Sequence, residues 1–312
     1  MRVSAHLGFA LVLISCGIEA SPAGAQTINT LGSGFNSPTA VSVDGAGNVF
    51  VADQGNSAVK EILAAGGYAT VNMLGSGFSS PTGAAVDGNG NVFVADTSNS
   101  AVKEILAAGG YVTVNTIGSG FSFPFGVAVD GSGNVFIADT FNNAVKEILA
   151  AGGYTTVNTL GSGFNSPKGV AVDAAGNVFV ADAFAVKEIL ALGGYTVVTT
   201  LGSGFNGPTG VAVDGSGNVF VADAGNNAVK EILASGGYTT VNTLGSGFSN
   251  PRGVAVDGHG NVFVADAGSN AVKEILAAPP IPVPSLGGWG LALCALLLGA
   301  AGYLAARRPA VG

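Results

Sequence analysis

Twelve aspartates recur at fixed spacing and are the first residues to weigh for chemistry. One set is Asp44, Asp87, Asp130, Asp173, Asp214 and Asp257; the other is Asp53, Asp96, Asp139, Asp182, Asp223 and Asp266. Carboxylates gathered round a channel could hold a divalent cation through oxygen ligands. Carboxylates at turns also cap nearby backbone N–H groups. A catalytic group is needed once, so sixfold recurrence points to capping. A Lys-Glu pair recurs with them, from Lys60-Glu61 to Lys273-Glu274. Neighbours on a strand face opposite ways, so each Lys is expected to meet a Glu of the adjoining repeat. Between residues 26 and 278 there is one histidine, His259, in the turn from Asp257 to Asn261. The matching position elsewhere holds Ala46, Asn89, Ser132 or Ser216, so a solvated turn residue is expected. No catalytic residue, metal site or cofactor is expected from this set.

The residues that break the repeat carry more information. At positions where other copies hold Thr39, Thr82, Thr209, Gly55, Gly225 or Gly268, the third copy has Phe123, Phe125 and Phe141 close by. The fourth has Lys168 after its proline, a loop shortened by two residues, and Phe184; the sixth has Arg252. Large apolar side chains beside a cation suit recognition of a protein, peptide or glycan. These six residues (Phe123, Phe125, Phe141, Lys168, Phe184 and Arg252) are the candidate ligand contacts. Drift among duplicated repeats is the competing explanation.

The elements that position them follow from a repeat. Copies begin at Thr30, Met73, Thr116, Thr159, Thr200 and Thr243, stepping by 43 residues except for 41 after Thr159. In the fifth copy, Gly210 to Asp214 and Asn218 to Asp223 read as two strands around a glycine-rich hairpin turn. Ala228 to Leu233 reads as a third strand, since so short a run between glycine turns makes a poor helix. Tyr238 to Leu244 reads as the fourth. Four antiparallel strands form a blade, and six blades form an all-β propeller. An open solenoid is the alternative. The sixth copy, however, stops at Ala278 without its fourth strand, while Gln26 to Leu31 matches that strand. The N-terminal strand is therefore expected to close the ring, which removes exposed sheet edges.

The pattern Pro-x-Gly-Val-Ala-Val-Asp-x-x-Gly-Asn-Val-Phe-Val-Ala-Asp-x-x-Asn-x-x-Val, seen in full from Pro208 to Val229, resembles NHL repeats. The match covers Gln26 to Ala278. It implies a six-bladed propeller and leaves function open, because fold does not fix function. Propeller enzymes of the lyase kind depend on several histidines, which this segment lacks. The reading is a non-enzymatic binding or scaffold propeller, similar in mode to sensor propellers of bacterial receptor kinases. The alternatives are a metal-dependent, lactonase-like hydrolase using the channel Asp ring and a purely structural envelope component.

Residues 1–25 read as a secretory signal: Arg2, an apolar stretch from His6 to Ile18, and a small-residue site at Ala23-Gly24-Ala25. Leu13 to Cys16 also reads as a lipobox, which would place a lipid on Cys16. Residues 26–278 contain no cysteine, so blade packing and closure must hold the exported domain. That segment carries eight cations against 18 acids, a net of −10, which argues against nucleic acid as a partner. Residues 279–285 form a Pro-rich linker. Residues 286–308 form a tail whose apolar stretch, Leu286 to Ala306, is long enough for a transmembrane helix. Pro284-Ser285-Leu286, Trp289, the apolar span and Arg307-Arg308 resemble an IPTL-type sorting tail. Ser285 stands where that family has Thr, and Gly287-Gly288 where it has Ser-Glu. The resemblance implies a sorting protease as a partner. The propeller would face the periplasm from the inner membrane or be sorted to the cell surface.

Overall fold

A computed structural model describes residues 26–277. They form six four-stranded antiparallel sheets arranged as blades. Blade one has strands Pro38–Val43, Val49–Asp53, Ala58–Ile62 and Val71–Leu74, and the other blades repeat that order. The AVKEI segment is a strand in every copy. The expected fourth strand is shorter than its sequence signal: Val241–Leu244, because Tyr238 takes a left-handed φ of 62° and ends the turn instead.

The second strand explains the packing. All five residues of Val49–Asp53 are buried, because the strand is covered by neighbouring blades on both faces. Val49 and Val51 pack toward blade six, against Phe263 and Ala265. Phe50 and Ala52 pack toward blade two, against Val92, Val94 and Ile105. Six such clusters run round the ring, one at each blade interface.

The ring closes as the terminal repeats imply. Ile28–Leu31 pairs antiparallel with the third strand of blade six, Asn29 opposite Glu274 and Leu31 opposite Val272. The register equals that of other fourth strands, where Asn72 lies opposite Glu61. Gln26 completes the match. In other copies the first glycine's N–H donates to a tyrosine carbonyl, as Gly32 does to Tyr68. The sixth copy lacks that tyrosine within the described residues, and Gly245 N–H donates to Gln26 Oε1 at 2.7 Å instead.

Inner strands of adjacent blades approach very closely. A Cβ on Gly126 would sit 2.3 Å from the Lys168 carbonyl oxygen, and one on Gly210 2.5 Å from that of Arg252. Only glycine fits at these two positions, and the contacts press on the backbone of Lys168 and Arg252, each of which follows a proline.

Among the described residues, no helix is long and apolar enough to cross a membrane. The signal segment 1–25, the linker 279–285 and the expected transmembrane helix within 286–308 lie outside the described residues.

Candidate functional site

Each blade contributes two loops to one face: the one entering its inner strand, and the one joining its second and third strands. In every blade but the fourth the second carries a short 3₁₀ turn, Gln54–Asn56 in blade one. Gly55 N–H donates to the Asn36 carbonyl at 2.8 Å, so the loops are zipped together. Beneath them lies a buried polar knot. Asp53 Oδ1 accepts from Asn36 N–H, and its Oδ2 accepts from Asn56 Nδ2, both at 2.7 Å. Lys60 Nζ reaches the same Oδ2 at 2.6 Å, donates to the Gly34 carbonyl at 2.7 Å, and stands 5.3 Å from the Phe35 ring centre.

This knot corrects the expected pairing of Lys with Glu across blades. The repeated Lys pairs with the Asp ending the second strand of its own blade. Glu61 takes Asn72 on its own fourth strand. Lys and Glu do point to opposite faces, but the acid within reach lies diagonally across the adjacent strand. The Asp53 set is therefore not a channel ring. Its carboxylates are buried within the blades and brace the loop face. The Asp44 set does cap its own turns: Asp44 Oδ1 accepts from Ala46 and Asn48 N–H at 2.9 and 2.8 Å. Those turns lie on the opposite face, where His259 is 89% exposed and 3.8 Å from Asp257. Among the described residues, no three His, Cys, Asp or Glu side chains converge as metal ligands do.

The central channel is lined by the inner strands. At the loop face it narrows to a cavity of about 50 Å³, ringed by the residue after each proline. The opposite end widens to about 250 Å³ and is walled by Val and Ala with Ser42.

The structure divides the six candidate residues. Phe125, Lys168 and Arg252 line the narrow mouth together with Thr39, Thr82 and Thr209. Phe123 and Phe141 lie on the loops of blade three and stack, with ring centres 4.4 Å apart and planes at 20°. Phe184, on the shortened loop of blade four, is 74% exposed and has no stacking partner among the described residues.

At the mouth, threonine works as an inter-blade clasp. Thr209 Oγ1 donates to the Arg252 carbonyl at 2.9 Å, and Thr82 Oγ1 to the Phe125 carbonyl at 2.8 Å. Lys168 and Arg252 replace such a clasp by a charge. Arg252 Nη1 donates to Gln54 Oε1 of blade one at 3.1 Å, a partner that sequence spacing did not reveal. Among the described residues, neither cation has a carboxylate within ion-pair distance, whereas the six other propeller lysines do. Burial, and secondarily the Arg252 charge, hold the Lys168 ammonium below the usual lysine range. Burial also lowers Arg252.

A base depressed in this way weakens the fold while protonated, and the penalty fades as pH rises past its folded and then its unfolded value. Lys168→Met is therefore expected to melt about 2 °C higher than the natural chain at pH 7, with the gap narrowing near pH 10. A lower melting temperature for the variant at pH 7 would contradict this account.

Comparison with known proteins agrees with the fold. The NHL repeat model matches residues 78–105, 205–232 and 248–275, and the IPTL-CTERM motif model matches residues 281–308. No curated protein matches the chain. Among solved structures, a gluconolactonase from Xanthomonas campestris superposes with a TM-score of 0.67 at 13% identity, over 80% of this chain and 88% of that one. A streptogramin B lyase gives 0.60 at 10% identity, over 81% and 98%. Virginiamycin B lyase from Staphylococcus aureus gives 0.57 at 12% identity, over 83% and 89%. At such identities the likeness concerns the fold alone. The chain thus carries NHL repeats on a six-bladed β-propeller, followed by an IPTL-CTERM motif.

Proposed function

We propose that this protein is a non-enzymatic binding propeller that recognises a protein, peptide or glycan through its loop face. The observation that carries the reading is the Phe123–Phe141 stack. Both rings are exposed, at 41% and 64%, on the face braced by the Asp-Lys knots. Phe123 also holds a left-handed φ of 50°. Its counterparts at similar φ are Ser37, Ser80, Ser166, Gly207 and Asn250, residues that tolerate that conformation better. A bulky aromatic there costs on the order of 1 kcal/mol, and the stack offsets an amount of similar order. An exposed aromatic pair on a braced face offers a contact surface.

The lactonase-like alternative has less support, since the carboxylates it needs are engaged in capping and ion pairs. The IPTL-CTERM motif supports export and sorting to the cell surface, with a sorting protease and the membrane as partners of the tail.

The test replaces both residues by those of other repeats: Phe123→Ser with Phe141→Gly. The full chain, in detergent, is applied to a glycan array and to envelope extract beside the natural protein. The variant is expected to fold with equal or higher stability and to retain at least tenfold less of whatever the natural chain holds. Equal retention would overturn the stack as contact, and no retention by either chain would favour a structural envelope role.

A further inference from the structure

The mouth of the channel sets a different problem from the aromatic stack. Around it, the residues after proline in blades three to six are, in order, Phe125, Lys168, Thr209 and Arg252. Two cations therefore flank one threonine over a cavity of about 50 Å³, with a phenylalanine beside the first. The propeller as a whole has a net charge of −10, yet its acids do not reach these two. The twelve aspartates are engaged at their turns and knots, and six lysines are neutralised within them.

Each cation also displaces a useful bond. Where threonine occupies the position it clasps the next blade. Lysine gives up that clasp, arginine exchanges it for the bond to Gln54 of blade one, and the two place partly buried charges that are mutually repulsive. Neither charge is met by a carboxylate among the described residues, so a ligand that supplies negative charge is the natural complement. Arginine offers a planar fork of donors, lysine a movable point charge, and together they suit an oxyanion. The glycine contacts at Gly126 and Gly210 pack on the backbone of both residues, Arg252 within the inner strand Pro251–Val256 and Lys168 just before the strand Gly169–Val172, so the backbone of the mouth is set before a ligand arrives.

We propose that the channel mouth is an anion pocket for one oxyanion group, a carboxylate, sulfate or phosphate, held between Lys168 and Arg252 above Thr209. Phe125 forms the apolar wall for the body that carries it. This deepens the proposed binding role by naming the chemistry of the ligand, and rests on that role only for the ligand's larger part. Free anions and anions borne on a sugar share this chemistry.

Thermal melting and calorimetric titration of the full chain in detergent would use three probes: inorganic phosphate, sulfate and glucuronate, at fixed ionic strength set with chloride. The natural chain is expected to show saturable binding and a rising melting temperature with at least one probe. Lys168→Met with Arg252→Met is expected to remain folded and to bind at least tenfold more weakly. Lys168→Arg with Arg252→Lys, which keeps the charge, should retain most of the binding. Tighter binding of glucuronate than of phosphate or sulfate would identify a sugar-borne carboxylate; the reverse order would identify a free anion. An unchanged response in the double Met variant, or no saturable binding of any probe, would overturn the pocket. The Phe123/Phe141 variant, run in parallel, separates this failure from failure of the loop-face reading, because it leaves the mouth intact.

Discussion

A chain beginning at Gly32 is expected to lose most of its stability, although only six residues of the propeller are removed. Gln26 to Leu31 supply the fourth strand of blade six, with Ile28 to Leu31 paired to residues 272–275. Leu31 is 3% exposed, and Ile28 packs on the cluster between blades five and six. Burial of the two side chains contributes about 3 kcal/mol, and the lost ladder bonds about 1 kcal/mol each. The total is a large part of the ~5–15 kcal/mol that holds a domain folded. The bared edge of Ala271–Ile275 would also recruit other chains. Circular dichroism melts and size-exclusion chromatography check both effects. A permuted chain with residues 26–31 fused behind Ala277 should melt close to the natural one. If the truncated chain melts unchanged and stays monomeric, closure by this strand is wrong.

The second large effect is expected at Asp139. Its carboxylate accepts from Ser122 N–H and Asn142 Nδ2, both at 2.7 Å, and pairs with Lys146 at 2.6 Å, with its side chain fully buried. Asp139→Ala strands a largely buried ammonium and two donors, a loss of about 3–5 kcal/mol. By contrast, Asp130→Ala on the opposite face removes a turn cap whose backbone donors can reach water, costing about 1 kcal/mol. Urea denaturation should order the variants accordingly. Because Ser122 and Asn142 adjoin Phe123 and Phe141, the Asp139 variant should also weaken ligand retention, which Asp130→Ala should not. Equal midpoints for the two variants would show that the knots do not brace the loop face.

Much of this architecture is legible along the chain because its causes are local. Glycine and Asx residues set the turns, and runs such as Val49–Asp53 are apolar throughout because both faces are covered. The terminal half-repeats then dictate closure, since the unpaired third strand of one end needs the stray fourth strand of the other. The period-two rule also places Lys60 and Glu61 on opposite faces. It does not say which acid stands within reach, because that depends on stagger between adjacent strands; hence the Lys–Asp knot replaced the expected Lys–Glu contact. The same limit applies to the candidate site. Phe123 and Phe125 are two residues apart, yet one stacks on an exposed loop and the other lines the channel. Radial distance from the propeller axis has no signature in a repeat, and Lys168 and Arg252 become neighbours only when blades four and six are bent round the same axis. The sequence by itself determined the blades, their number and their closure, through short-range turn chemistry and alternation. Only the tertiary structure decided which departures from the repeat share a surface, because closing a ring sets distances that no local interaction encodes.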